Sequence, residues 1–296
     1  MTAVGVSFRL LASLAIIVLS LPVSQSTTTN MQAATLPNVA HDDGAQLAGG
    51  DDIRMVFSDL DGTLIHYPDD LPPTDDDRII RLPASSTGLV GIVSRRTFEL
   101  CREVRKKAPL YFVSGMRFTT LVSRLPYLPR ADAYCCDGGG RIFWARDSGT
   151  DDDAMLRITP QVEGETPFSL IEDTVWRKHV MEQHVGRDGY VGTELLGIDA
   201  AATVPIRERD GPLWKFAKQL LEQGIVLDSK GYSTCFRINR KHQREAILFD
   251  QLLAKLEEGK MLPNVLDFST NLGCIDVYPT VSGKLNWYVF LCCKSM

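Results

Sequence analysis

Three short apolar runs, MVF (55–57), LYFV (110–113) and AYCC (133–136), each close on a polar residue with a glycine soon after, and helix-like stretches separate them. Short apolar runs bounded by turn signals read as buried strands. The first separating stretch ends in SRRTFELCREVRKKAP, where Thr97, Leu100, Cys101 and Val104 share one face. Arg95, Arg96, Arg102, Lys106 and Lys107 fall largely on other faces, and Pro109 stops the helix. The second separating stretch, FTTLVSRL, is also helical in pattern, and the third strand returns through a glycine turn into RIFW. Strand–helix–strand–helix–strand specifies an α/β fold, a Rossmann-like doubly wound parallel sheet. Such sheets bind ligands outside the carboxyl ends of their strands, so the polar residues closing each run are the candidate functional groups.

Past Trp144 the rhythm changes. SGTDDDA (148–154) is a polar break, and 176–184 and 212–224 read as helices. YSTCFRI (232–238) reads as a strand, and HQREAILFDQLLAKLEEG as an amphipathic helix with Ile247, Leu248, Leu252, Leu253 and Leu256 on its apolar side. NVLDFST and GCIDVYP flank an Asn271-Leu272-Gly273 turn as a hairpin. This composition is α+β and is expected to form an inserted cap domain over residues 150–272, with 51–149 and 273–296 making the core. At 296 residues the chain has room for both.

The amino terminus follows other rules. Arg9 precedes LLASLAIIVLSLPVS, an apolar segment short for a membrane span, and SQSTTTN then offers small residues for cleavage. Residues 1–26 are expected to be a targeting signal for the secretory pathway or an organelle such as a plastid, with a signal anchor as the competing reading. Residues 27–50 are polar and small and read as a flexible linker. No other membrane partner is expected. A formal net charge of −5 argues against a dedicated nucleic-acid surface. None of the seven cysteines has the two-residue gap of a zinc knuckle or redox pair, so they read as small core residues.

The first strand end carries the chemistry. In VFSDLDGTLIH (56–66), Asp59 and Asp61 stand one residue apart at the end of an apolar run. Strand alternation puts residues i and i+2 on one side, so two like charges would crowd one patch unless a cation or bound group compensates. Three readings compete. Asp and Gly are ordinary turn formers, so the segment can be a polar exit and nothing more. An EF-hand loop wants its glycine at the sixth position, whereas Gly62 is fourth from Asp59. The third reading is a magnesium-assisted phosphoryl-transfer site, with Asp59 as nucleophile and Asp61 as acid and base. The aspartate-rich loop HYPDDLPPTDDDR that follows reads as a solvated acidic loop rather than a metal site.

At the second strand end, Ser114 and Gly115 offer a hydroxyl and a backbone N–H near a helix start, as a phosphoryl oxygen requires. Alone, Ser-Gly after a strand is usually a turn. Late in the chain, Lys284 of DVYPTVSGKLN follows a strand and a Ser-Gly turn, where an ammonium can neutralise developing charge. Without the other two segments it reads as a surface lysine.

In this order, with a cap-sized insertion between the second and third, FSDLDGTL, FVSGMR and IDVYPTVSGKLN resemble the motifs of haloacid dehalogenase (HAD) superfamily phosphatases. The more specific resemblance is to sucrose-phosphate-phosphatase-like and Cof-like members with an α/β cap, and it covers residues 54 to about 286. The resemblance implies a magnesium-dependent phosphatase acting on a sugar phosphate or similar small phosphomonoester. Asp59 would attack phosphorus and form an aspartyl-phosphate, while Asp61 would protonate the leaving oxygen and later activate water. Asp59 and the Asp61 carbonyl would hold magnesium. Ser114, Gly115 and Lys284 would bind the phosphoryl group, and Arg117 would orient substrate.

One departure sets a competing expectation. The family completes its magnesium site with a fourth, acidic motif, yet the twelve residues after Lys284, LNWYVFLCCKSM, contain no Asp or Glu. The chain end resembles a truncated or alternatively spliced product. The competing reading is therefore a catalytically impaired module of the same fold that binds a sugar phosphate or a protein partner.

Overall fold

The computed structural model describes residues 6–11, 14–19, 54–73, 75–84, 88–147, 156–182, 204–271, 273–283 and 286. Its large sheet is built around three parallel strands in the order β3 (Met55–Asp59), β6 (Leu110–Val113) and β7 (Ala133–Cys136). These are the three apolar runs of the sequence. In register, Asp59 lies opposite Val113 and Val113 opposite Cys135, so all three carboxyl ends meet at one edge. Antiparallel strands extend this nucleus. On one side β8 (Arg141–Asp147), β10 (Phe168–Glu172) and β9 (Leu156–Ile158) follow β7. On the other side β2 (Leu14–Leu19) pairs with β3, and β1 (Val6–Leu11) pairs with β2. These two strands fall within the segment expected to be a targeting signal. A short apolar run containing Ile16, Ile17 and Val18 suits a strand as well, and hydrophobicity alone does not separate the two uses. No helix among the described residues is long and apolar enough to cross a membrane.

Pleat alternation divides the core. Val56, Leu110, Phe112 and Tyr134 point to one face, where they meet Phe98 and Cys101 of α1 (Arg95–Arg105) and Phe118 and Leu121 of α2 (Phe118–Arg124). Strand order advancing one way through right-handed crossovers places helices on one face. Met55, Phe57, Tyr111, Val113 and Cys135 point to the other, where Trp176 and Val180 of α3 (Thr174–Val180) join them. α1 starts at Ser94, whose hydroxyl accepts the Thr97 N–H at 3.1 Å. Cys101 and Val104 of the expected face pack on the core together with Phe98, whereas Leu100 is 41% exposed. A short ladder absent from the sequence reading, β4 (Ile79–Arg81) with β5 (Ile92–Ser94), precedes it.

The second unit is a three-stranded antiparallel sheet, ordered β11 (Phe236–Asn239), β13 (Cys274–Pro279), β12 (Leu266–Asn271). α4 (Pro212–Glu222) and α5 (Ala246–Glu257) pack on it through Trp214, Phe216, Leu220, Phe249, Leu252 and Leu256. In α5 the buried stripe runs Phe249–Leu252–Leu256, and Ile247, expected on the apolar side, is 52% exposed. The boundaries expected at residues 149/150 and 272/273 do not coincide with the sheet edges. β9 and β10 belong to the large sheet, and β13 belongs to the small one because its hairpin with β12 carries it there. The fold is thus α/β with a smaller α+β unit, as the element rhythm predicts. Cys101, Cys135, Cys136, Cys235 and Cys274 are all buried.

Candidate active site

β3 ends in a tight loop. The Leu60 carbonyl accepts the N–H groups of Leu64 and Ile65 at 3.0 and 2.8 Å, and the Gly62 N–H returns to the Ile65 carbonyl at 2.8 Å. Leu60 and Leu64 are buried, so the loop is pinned from below while Asp59 and Asp61 stay partly exposed. The Asp59 carboxylate accepts the Leu60 N–H at 2.8 Å. Asp61 accepts the Ser114 hydroxyl at 3.2 Å, so the first and second strand ends are joined directly. Ser114 in turn accepts the Met116 N–H at 3.1 Å, which fixes its hydroxyl over the Gly115 turn. Asp59, Asp61, Ser114 and Gly115, named from the sequence as candidates, therefore occupy one end of one sheet.

Two residues absent from the sequence reading complete the Asp61 environment. The Tyr67 hydroxyl donates to the Asp61 carboxylate. Arg124, on α2 and 2% exposed, reaches the same carboxylate oxygen at 3.3 Å and the Tyr67 oxygen at 2.7 Å. Burial, then the neighbouring Asp61 carboxylate, pushes the Tyr67 hydroxyl above its ordinary range, so it remains a donor. Tyr67 sits in a loop and Arg124 ends a helix, and no local pattern marks either.

The small unit closes over Gly115. Arg237 of β11 and Asp276 of β13 form a two-point ion pair at 2.6 and 2.7 Å. A Cβ at Gly115 would stand 3.3 Å from that carboxylate, so a glycine lets the two units approach here. Burial opposes the charge on Arg237, but the two bonds to Asp276 outweigh it and hold the guanidinium firmly protonated. Arg117, the expected substrate-orienting residue, bonds Asp228 at 2.5 Å and lies 4.8 Å from the centre of the Tyr232 ring. It bridges the two units beside Tyr232, whose ring Arg237 also approaches at 6.0 Å.

The third strand end holds a buried acid, Asp137, in a left-handed conformation (φ 57°) and 1% exposed. Its carboxylate accepts the Ser233 N–H at 3.0 Å, the Ser233 hydroxyl at 2.5 Å and the Thr234 N–H at 3.2 Å. Those N–H groups serve the carboxylate rather than a ladder, so the strand expected over 232–238 begins only at Phe236. Lys284 lies outside the described residues. The preceding Gly283 packs its backbone against Gly139 of the third strand end.

No family model matches the chain, and no curated protein matches it. Among solved structures, the chain is similar to a sucrose-phosphatase from Synechocystis sp. PCC6803 in complex with sucrose and phosphate, at 15% identity and a TM-score of 0.39, covering 66% of this chain and 61% of that one. A trehalose-6-phosphate phosphatase from Aspergillus fumigatus matches at 13% identity and a TM-score of 0.31, over 77% of this chain and 61% of that one. A second crystal form of that enzyme matches at 15% identity and a TM-score of 0.28, over 76% and 59%. The chain spans about three fifths of the length of these structures.

Proposed function

We propose that this chain is a phosphomonoester hydrolase of the haloacid dehalogenase type, acting on a sugar phosphate or similar small phosphate ester. One observation carries the reading: the hydroxyl of Ser114 meets the carboxylate of Asp61 at 3.2 Å, beside Asp59 at the same sheet end. The residues proposed as nucleophile (Asp59), acid–base group (Asp61) and phosphoryl-binding hydroxyl with its glycine turn (Ser114 and Gly115) come from segments far apart in sequence. In the first step an Asp59 oxygen attacks phosphorus, and Asp61 gives its proton to the leaving oxygen as that P–O bond breaks. In the second, Asp61 takes a proton from water as the water oxygen attacks phosphorus, and the bond to Asp59 breaks to release phosphate. Lys284 is the proposed partner for the phosphoryl charge.

Magnesium takes oxygen ligands and is commonly held by one or two carboxylates together with substrate phosphate and water. The Asp59 carboxylate and the Asp61 backbone carbonyl supply oxygens of that kind and would hold it. Among the described residues no group of three His, Cys, Asp or Glu side chains gathers, so substrate and water would fill most of its sphere. When bound, the ion neutralises charge on the phosphoryl oxygens.

The test is turnover of p-nitrophenyl phosphate and a hexose phosphate by the full chain across a magnesium titration, with Asp59→Asn beside it. Magnesium-dependent hydrolysis that disappears in the variant is expected. Hydrolysis that persists in Asp59→Asn removes the proposed nucleophile. Retained binding of the phosphate ester without turnover assigns the chain to the alternative, a binding module.

A further inference from the structure

Arg124 is the anomaly of the site. It is a guanidinium only 2% exposed, and its Nε and Nη2 are buried without a hydrogen-bond partner among the described residues. A buried cation with unused donors is costly, and a purely structural role is filled more cheaply by an apolar residue of similar size. Its one satisfied nitrogen, Nη1, is spent on Asp61 at 3.3 Å and on Tyr67 at 2.7 Å. Tyr67 passes the contact on, because its hydroxyl donates to the same Asp61 oxygen that Arg124 reaches. The ring of Tyr67 also lies against the guanidinium, 5.7 Å from ring centre to Cζ.

We infer that Tyr67 and Arg124 form a brace that fixes the orientation of the Asp61 carboxylate. The brace grips one oxygen, Oδ1, while the other, Oδ2, faces the Ser114 hydroxyl at the strand end. A carboxylate held at one oxygen cannot rotate freely, so its second oxygen stays directed at the phosphoryl-binding turn. Arg124 is too deeply buried to meet a substrate and acts through Asp61; both residues are positioning residues. This inference rests on the phosphatase reading, in which Asp61 delivers a proton to the leaving oxygen.

The leaving group separates positioning from mere support. An alkoxide needs its proton as the bond breaks, whereas p-nitrophenolate leaves without one. In single-turnover experiments Tyr67→Phe and Arg124→Met are expected to slow release of the sugar from a hexose phosphate by roughly tenfold or more, with release of p-nitrophenol slowed less than about threefold. Arg124→Lys, which keeps the charge with fewer fixed donors, should recover part of the loss. Equal slowing of both leaving groups means the pair only supports the fold and overturns the inference. A second readout uses no turnover: urea midpoints of Arg124→Met, Asp61→Asn and the double variant without magnesium. Non-additive midpoints are expected for groups in contact, and additive ones overturn the brace. If the unsubstituted chain turns over neither ester, the phosphatase reading falls and the positioning role falls with it, while the urea cycle still reports whether the contact exists.

Discussion

Asp137 and Ser233 are joined twice, through the Ser233 N–H at 3.0 Å and its hydroxyl at 2.5 Å, across 96 positions of sequence. One residue closes the third strand of the large sheet and the other enters the small sheet. The carboxylate also receives Thr234, so a single buried acid holds the approach of one unit to the other. Replacing it leaves several donors without a partner. Asp137→Asn keeps a residue that tolerates the left-handed backbone and is expected to lower stability by about 2 kcal/mol. Asp137→Ala loses both side-chain acceptors and strains the backbone as well, and should cost about 1 kcal/mol more. Urea unfolding of the two variants checks the order, and equal losses would refute it.

The same junction leaves no room for side chains. A Cβ at Gly140 would overlap Thr234, and one at Gly139 would overlap the backbone of Gly283. Gly140→Ala therefore requires one unit to move from the other, with an expected loss of about 3 kcal/mol. The neighbour at Gly140 is a side chain and the neighbour at Gly139 is backbone, so only the first can be relieved. Thr234→Gly should recover stability in Gly140→Ala and give none back to Gly139→Ala, measured by thermal unfolding.

Much of this was legible in the sequence for a local reason. The three parallel strands, the turns after them and the meeting of Asp61 with Ser114 all follow from apolar runs that end in polar residues. Tyr67 and Arg124 were not legible, because each joins the site through a contact with no sequence period. The sheet that β9, β10 and β13 join was not legible for a similar reason. Leu156–Ile158 reads as part of an insertion until its antiparallel partner Phe168–Glu172 carries it onto the large sheet. At 232–235 the expected strand yielded to a buried carboxylate, a tertiary partner that no local propensity reveals.

Arg237 and Asp276, paired beside Gly115, make a further prediction. Their side chains are 26% and 8% exposed, so removing one partner strands the other in a partly dry place. Asp276→Ala is expected to cost about 2 kcal/mol, less than a fully buried pair because water still reaches the guanidinium. Adding Arg237→Met should return part of that loss, since no unpaired charge then remains. A double variant weaker than both single ones in urea would count against this account.

The buried thiols tie the core to alkaline pH. Burial, followed by the nearby Glu165, pushes Cys101 up to about 12 from an ordinary 9.0. Cys136 and Cys235 are raised by burial too. With a folded-state pKa above the unfolded one, the native chain keeps protons that the unfolded chain releases as pH climbs past about 9. Stability is then flat below the unfolded value and falls as pH rises towards the folded one. Each such thiol contributes a slope of up to about 1.4 kcal/mol per pH unit in that window. Urea midpoints at pH 8, 9 and 10 are expected to fall, with most of the drop in the last interval. Cys101→Ala should begin less stable at pH 8, because it removes packed volume, and should lose less between pH 9 and 10. Parallel curves for the variant and the unsubstituted chain would show that Cys101 titrates alike in the folded and the unfolded chain.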